Sequence, residues 1–158
     1  MVTLPQRSIM RTLSIIGPGR VGRSLARLFH QHQVFQIGAL MSRHEASARA
    51  AIDFIDAGTV ATSMDTASHA DVWMLSVPDD EIENQAEALL ARDDLSESTI
   101  VFHCSGAKSS TVLDRLRQRG VAIASVHPVR SFANPSALVS DFAGTYCGIE
   151  GDDAAVEI

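Results

Sequence analysis

Cysteine is scarce: Cys104 and Cys147 stand far apart in the chain and make no CxxC pair. That excludes a disulfide scaffold and leaves no zinc-binding spacing, so no metal site is expected. Reduced thiols in a cytoplasmic protein are the plain expectation. Long apolar runs are also missing. None approaches the roughly 20 residues needed to cross a bilayer, so no membrane partner is expected. The first ten residues carry Pro5, Gln6 and Arg7 without the apolar stretch of a signal peptide. Positive charge is the third shortage: 13 Lys and Arg against 19 Asp and Glu give a net charge of −6. A nucleic-acid face usually needs a cationic surplus, so nucleic acid is not an expected partner. A nucleotide cofactor needs only a local positive site and stays open.

What is present is organised around residues 14–22. The apolar run Leu13, Ile15, Ile16 stops at Gly17-Pro18-Gly19-Arg20-Val21-Gly22, three glycines spaced G-x-G-x-x-G. It passes directly into a helical pattern of Val21, Leu25, Leu28 and Phe29. Strand, glycine turn and helix in that order are the context in which this motif reads as a dinucleotide cradle. Gly17 permits the tight turn, Gly19 lets backbone approach a pyrophosphate, and Gly22 lets helix pack on strand. The helix N-terminus adds free N–H groups and a positive dipole end. Gly17, Pro18, Gly19, Arg20, Val21 and Gly22 are therefore candidate cofactor-binding residues. An ordinary glycine-rich turn is the plainer alternative.

The rest of the chain alternates strand and helix with short connections. Strands are expected near 12–16, 35–41, 59–62, 71–77, 100–104 and 121–126, with one more at 145–149. Helices are expected at 20–31, after Ser42, after Asp80 and after Ser105-Gly106. Ser42 with Glu45 reads as a capping box, and Asp80 with Glu83 as a second cap. Residues 65–70 read as one helical turn, and Gly120 as a helix C-cap. The near-continuous apolar run at 71–77 fits a central parallel strand covered on both faces. Right-handed crossovers then give a doubly wound α/β domain in three layers, a Rossmann fold with parallel strand order 3-2-1-4-5-6. Residues 1–11 read as a lead-in, 12–150 as the dinucleotide-binding domain and 151–158 as the start of a continuation or a disordered tail.

The end of the second strand should lie beside the adenosine ribose, about 20 residues past the glycines. An NAD site usually has Asp or Glu there, but this chain has Met41-Ser42-Arg43-His44. Arg43 can bind a 2′-phosphate bidentately, Ser42 can add a hydroxyl, and Arg20 a second cation. NADP is therefore expected over NAD, although Glu45 keeps NAD open. Other strand ends point at the same crevice: Val77, Pro78 and Asp79 after the fourth, Ser105 and Lys108 after the fifth, His127 and Arg130 after the sixth. Val77, Pro78, Asp79 and Ser105 are candidate cofactor contacts; Asp79 and Asp80 also read as caps. Ser105, Lys108 and His127 are candidate catalytic residues. A strand-end histidine can exchange a proton with a substrate hydroxyl while hydride moves, and Lys108 or Arg130 can meet a substrate anion. His103 reads as buried in its strand and Cys104 as a small core residue.

These motifs together, with His103-Cys104-Ser105-Gly106 and His127-Pro128-Val129-Arg130-Ser131-Phe132, resemble the N-terminal half of NADP-dependent oxidoreductases. The group belongs to the 6-phosphogluconate dehydrogenase-like superfamily, near pyrroline-5-carboxylate reductases and β-hydroxyacid dehydrogenases. The resemblance covers roughly residues 12–150. It implies hydride transfer between NADP and a small hydroxy, keto or imino acid. It also implies an all-helical second domain that closes over the nicotinamide and builds a homodimer. This chain stops near the expected start of that domain, so a fragment or a free-standing cofactor module is expected. Ser105-Gly106-Ala107-Lys108 and His127-Pro128 are also similar to two elements of prephenate dehydrogenases, but Val129-Arg130-Ser131 departs from that family. Non-catalytic NADP(H) sensing is the competing function.

Overall fold

The computed structural model describes residues 10–157; most of the expected lead-in lies outside them. Each strand in the middle of the sheet sends alternate residues to opposite faces. In β4 (Val72–Leu75), Val72 and Met74 join one core and Trp73 and Leu75 the other. β1 (Thr12–Ile16) and β5 (Ile100–His103) do the same. Helices must therefore cover both faces. On one side α1 (Arg20–Gln31) and α2 (Glu45–Ile55) bury Leu25, Ala26, Ala51 and Ile55. On the other, α3 (Ile82–Leu90) and α4 (Asp114–Gln118) bury Ile82, Ala86, Leu89 and Leu116.

With β2 (Gln36–Met41), β3 (Thr59–Ala61), β6 (Ala122–Pro128) and β7 (Cys147–Gly151), the sheet order is β3-β2-β1-β4-β5-β6-β7. The first six strands are parallel in the expected order, and β7 adds an antiparallel edge. The point where strand order reverses lies between β1 and β4, which is where a doubly wound sheet opens a crevice. α5 (Pro135–Ser140) follows β6, and its N-cap Asn134 accepts from Ala137 N–H at 3.2 Å. α6 (Asp153–Val156) falls in the segment expected as a continuation or tail, and buries Ala155. Among the described residues no helix is long and apolar enough to cross a membrane.

Several local expectations are corrected. Residues 65–70 form no helical turn: a turn ends at Thr66 and residues 68–70 are irregular, with Thr66 and Ser63 hydrogen-bonded to each other's backbone. Ser42 does not cap α2: the helix starts at Glu45 with His44 at the cap, and no side chain bonds the free amides. Glu45 is the first helical residue rather than the third, so it does not reach back as a capping box requires, and its carboxylate pairs with Arg49 instead. Asp80 does not cap either, because residues 79–81 make a short 3-10 turn before α3. Lys108 precedes its helix, since a 3-10 turn begins only at Ser110. β6 runs through His127 and Pro128, which pair with Gly148 and Cys147 of β7.

Candidate functional site

The glycine turn is built as its spacing requires. Gly17 has φ +80, a left-handed conformation that strains other residues. A Cβ there would also lie 2.6 Å from Val77 Cγ1 and 2.9 Å from Ser76 O. Its N–H donates to Met41 O at 2.8 Å, which ties the turn to the end of β2. Ser76 Oγ donates to Gly17 O at 2.6 Å and ties it to β4. A Cβ on Gly22 would collide with that same Ser76 Oγ, so helix and strand touch here through a missing side chain. Gly19 differs: a Cβ on it would meet nothing nearer than Gly17 O at 3.9 Å. The space before Gly19 is free for a ligand. No side chain caps α1, and its first turn holds no acidic residue, so its orphan amides keep their capacity for an anion.

In front of this turn lies a cavity of about 440 Å³, within the size range of small-molecule sites. Gly17, Pro18 and Gly19 form one wall, Ser42, Arg43, His44 and Ser47 another, and Val77 and Pro78 a third. Of the expected cofactor contacts, Gly17, Pro18, Gly19, Ser42, Arg43, Val77 and Pro78 therefore meet in one place. Arg20 is exposed outside the cavity, Val21 and Gly22 support it from within α1, and Asp79 is exposed beside it. Met41, Ser76, Glu81 and Gln85 also line it. Sequence reasoning gave Glu81 and Gln85 no role; their four-residue spacing after a strand-ending proline was the available signal.

The expected catalytic residues lie further along the sheet edge, outside this cavity. Ser105 is buried, and its Oγ accepts from the N–H groups of Ala107 at 3.1 Å and Lys108 at 3.2 Å. Its own hydroxyl proton remains available for donation. Lys108 Nζ pairs with Glu83 Oε1 at 3.3 Å. His127 is half-buried against the loop after β5: a Cβ on Gly106 would lie 2.5 to 2.8 Å from three of its ring atoms. Gly106 is thus the surface on which the His127 ring rests. Arg130, considered for a substrate anion, pairs with Asp141 at 2.6 Å and bonds Thr145 Oγ1 at 3.0 Å.

His103 holds the other side of that loop. It is 0 % exposed. Its Nδ1 accepts from Ser105 N–H at 3.2 Å, which places the proton on Nε2, donating to Ser109 O at 3.1 Å. Burial pushes its pKa below the ordinary 6.5, keeping the ring neutral. Beyond it, Glu150 of β7 accepts from Ser110 N–H at 2.5 Å and from its Oγ at 2.7 Å. Burial pushes the Cys104 thiol up to about 12, which removes it as a nucleophile at neutral pH. No cluster among the described residues has a metal-binding set of ligands.

A three-layer doubly wound sheet with a glycine-turn cavity at its reversal point defines the class. The chain belongs to the Rossmann-like domain family, whose model matches residues 5–128. No curated protein matches the sequence. Among solved structures, it is similar to a Bacteroides fragilis protein named as an NADP oxidoreductase, at 18% identity and TM-score 0.76, covering 91% of this chain and 52% of that one. It is similar to prephenate dehydrogenase from A. aeolicus, solved with hydroxyphenyl propionate and NAD+, at 21% identity and TM-score 0.71, covering 96% and 54%. It is similar as well to a pyrroline-5-carboxylate reductase from Coxiella burnetii, at 13% identity and TM-score 0.73, covering 93% and 52%. The chain spans about half the length of these proteins.

Proposed function

We propose that this chain is the NADP-binding domain of an oxidoreductase that moves hydride between NADP and a small hydroxy, keto or imino acid. One observation carries the reading: the cavity joins the glycine turn to Ser42 and Arg43, and no carboxylate from the end of β2 lines it. Glu45, the nearest such group, is paired on its own helix with Arg49. The open space before Gly19 suits a pyrophosphate, and the uncapped α1 amides suit its charge. Arg43 is exposed with no ion-pair partner among the described residues; it suits a 2′-phosphate through a charge-assisted, bidentate contact, with Ser42 as a neutral donor.

When bound, the cofactor supplies a hydride donor or acceptor. The protein's part is to hold the adenosine half in the cavity and direct the other half along the sheet edge. There His127 would hold or release a proton at a ring nitrogen, and Ser105 would donate its hydroxyl proton. Lys108 would offer charge to an acidic substrate. A cytoplasmic setting and a homodimer belong to the same proposal. That the named neighbours include both an NADP oxidoreductase and an NAD+ complex supports nucleotide chemistry without selecting between the two. A sensing module without turnover is the second reading, favoured by the pairing of Lys108 with Glu83.

Arg43→Ala tests the proposal. NADPH affinity should fall about 10- to 100-fold, the worth of a charge-assisted contact, with NADH affinity nearly unchanged. Equal losses for both cofactors, or none for NADPH, would contradict it.

A further inference from the structure

Four of the seven buried polar side chains among the described residues gather at one loop: His103, Ser105, Ser110 and Ser125. The strand register shows why. His103 of β5 stands beside Ser125 of β6, and Ser125 beside Glu150 of β7. Directly paired residues share a face of the sheet, so these three form one polar row across it. The loop after β5 lies over that row, and each member holds it. His103 bonds Ser105 N–H and Ser109 O, and Ser125 Oγ donates to Lys108 O at 3.4 Å. Glu150 takes both the N–H and the hydroxyl of Ser110. A buried polar network whose members are all satisfied rigidifies what it holds.

His127 stands two residues beyond Ser125 in β6, and so on the same face. Its cross-strand partner is Gly148, which offers no side chain to hold it. Its ring nitrogens have no protein partner among the described residues and are not shut off from solvent. The loop is therefore what orients the ring. A Cβ on Gly106 would lie 2.5 Å from Cε1, 2.6 Å from Nε2 and 2.8 Å from Nδ1. The nitrogen-bearing edge of the imidazole thus rests on Gly106. A glycine leaves room for that edge, and a fixed loop keeps the glycine beneath it. β7 buries none of its five residues; through Glu150 it contributes the clamp at the far end of the loop.

We infer that Glu150 is a positioning residue for His127, acting through Ser110 and the loop to keep Gly106 beneath the imidazole. The inference rests on the reading of His127 as the proton-transferring group and adds what aims it. Imidazole NMR spectra of the full chain test it, with the His127 signals assigned by their loss in His127→Ala. Glu150→Ala strips Ser110 of both bonds and should move the His127 signals by more than a linewidth. Those of His30 and His32, at the far end of α1, should stay in place and report an intact fold. Glu150→Gln should leave the His127 signals where they are, because its amide oxygen still accepts the N–H and its amide nitrogen can donate to the hydroxyl. The contact itself is tested by a double-mutant cycle. Gly106→Ala should lower the unfolding temperature by roughly 3–10 °C, as overpacking does, and by less than half as much in a His127→Ala background. Unmoved His127 signals in Glu150→Ala, or equal displacement by Ala and Gln, would overturn the role of Glu150. Equal losses from Gly106→Ala in both backgrounds would overturn the seat. NADPH added to each protein keeps the underlying reading separate: binding by wild type and Glu150→Ala alike supports it whatever the His127 signals do, and binding by neither would overturn it.

Discussion

His103 shows what a single buried side chain does here. It ties Ser105 N–H to Ser109 O across a loop whose Gly106 supports His127. Protonation would turn its Nδ1 from acceptor to donor and set it against the Ser105 amide. Because burial lowers its folded pKa below the unfolded value of 6.5, the unfolded chain binds the extra proton first. Its contribution is therefore complete above pH 6.5 and is lost as the pH falls below that value toward the folded pKa. Denaturant unfolding followed from pH 7.5 to 5 should show wild type losing up to about 1.4 kcal/mol per pH unit more than His103→Asn. Parallel curves would contradict this. Asp94 does not interfere. The Arg92 guanidinium beside it holds its carboxyl below 3.8, so its window opens only at more acid pH. The sequence placed His103 inside a strand but could not show its bonds, because Ser109 returns over it only once the loop has folded.

At the scale of elements, the glycine turn separates ligand space from packing space. Gly19→Ala adds a methyl group where the nearest atom is 3.9 Å away. Stability should change by less than about 1 kcal/mol, the scale of an N-cap exchange, while NADPH binding falls at least tenfold. Gly22→Ala drives a methyl group into Ser76 Oγ, and should cost about 1–3 kcal/mol as overpacking does. Calorimetric unfolding with NADPH titration of each variant checks both; a Gly19→Ala protein that binds normally would contradict the cradle. The turn was legible because three glycines, a β-branched strand and a helical pattern all agree. Caps were less legible. Ser42 and Glu45 have capping-box spacing, but residues 42–44 leave β2 along the cavity wall, and α2 begins two residues later than the box requires.

For the whole molecule, strand–helix alternation and the handedness of crossovers were enough to order six strands. The seventh was only partly legible: Cys147–Gly151 is exposed throughout, so it lacks an apolar pattern, and its antiparallel pairing depends on the chain between 129 and 146 turning back. The site divides the same way. Residues next to the glycine turn in space were found from fold rules, whereas Glu81 and Gln85 needed the coordinates of the cavity. Ser105, Lys108 and His127 lie along the sheet edge beyond that cavity, where the rest of a dinucleotide would reach. The central claim, that the cavity holds NADP by its adenosine half, is tested most directly by titrating the protein with NADPH and with NADH under identical conditions. The account predicts saturable one-to-one binding with NADPH at least about tenfold tighter, the worth of one charge-assisted contact. Tighter binding of NADH, or no binding of either, would contradict it.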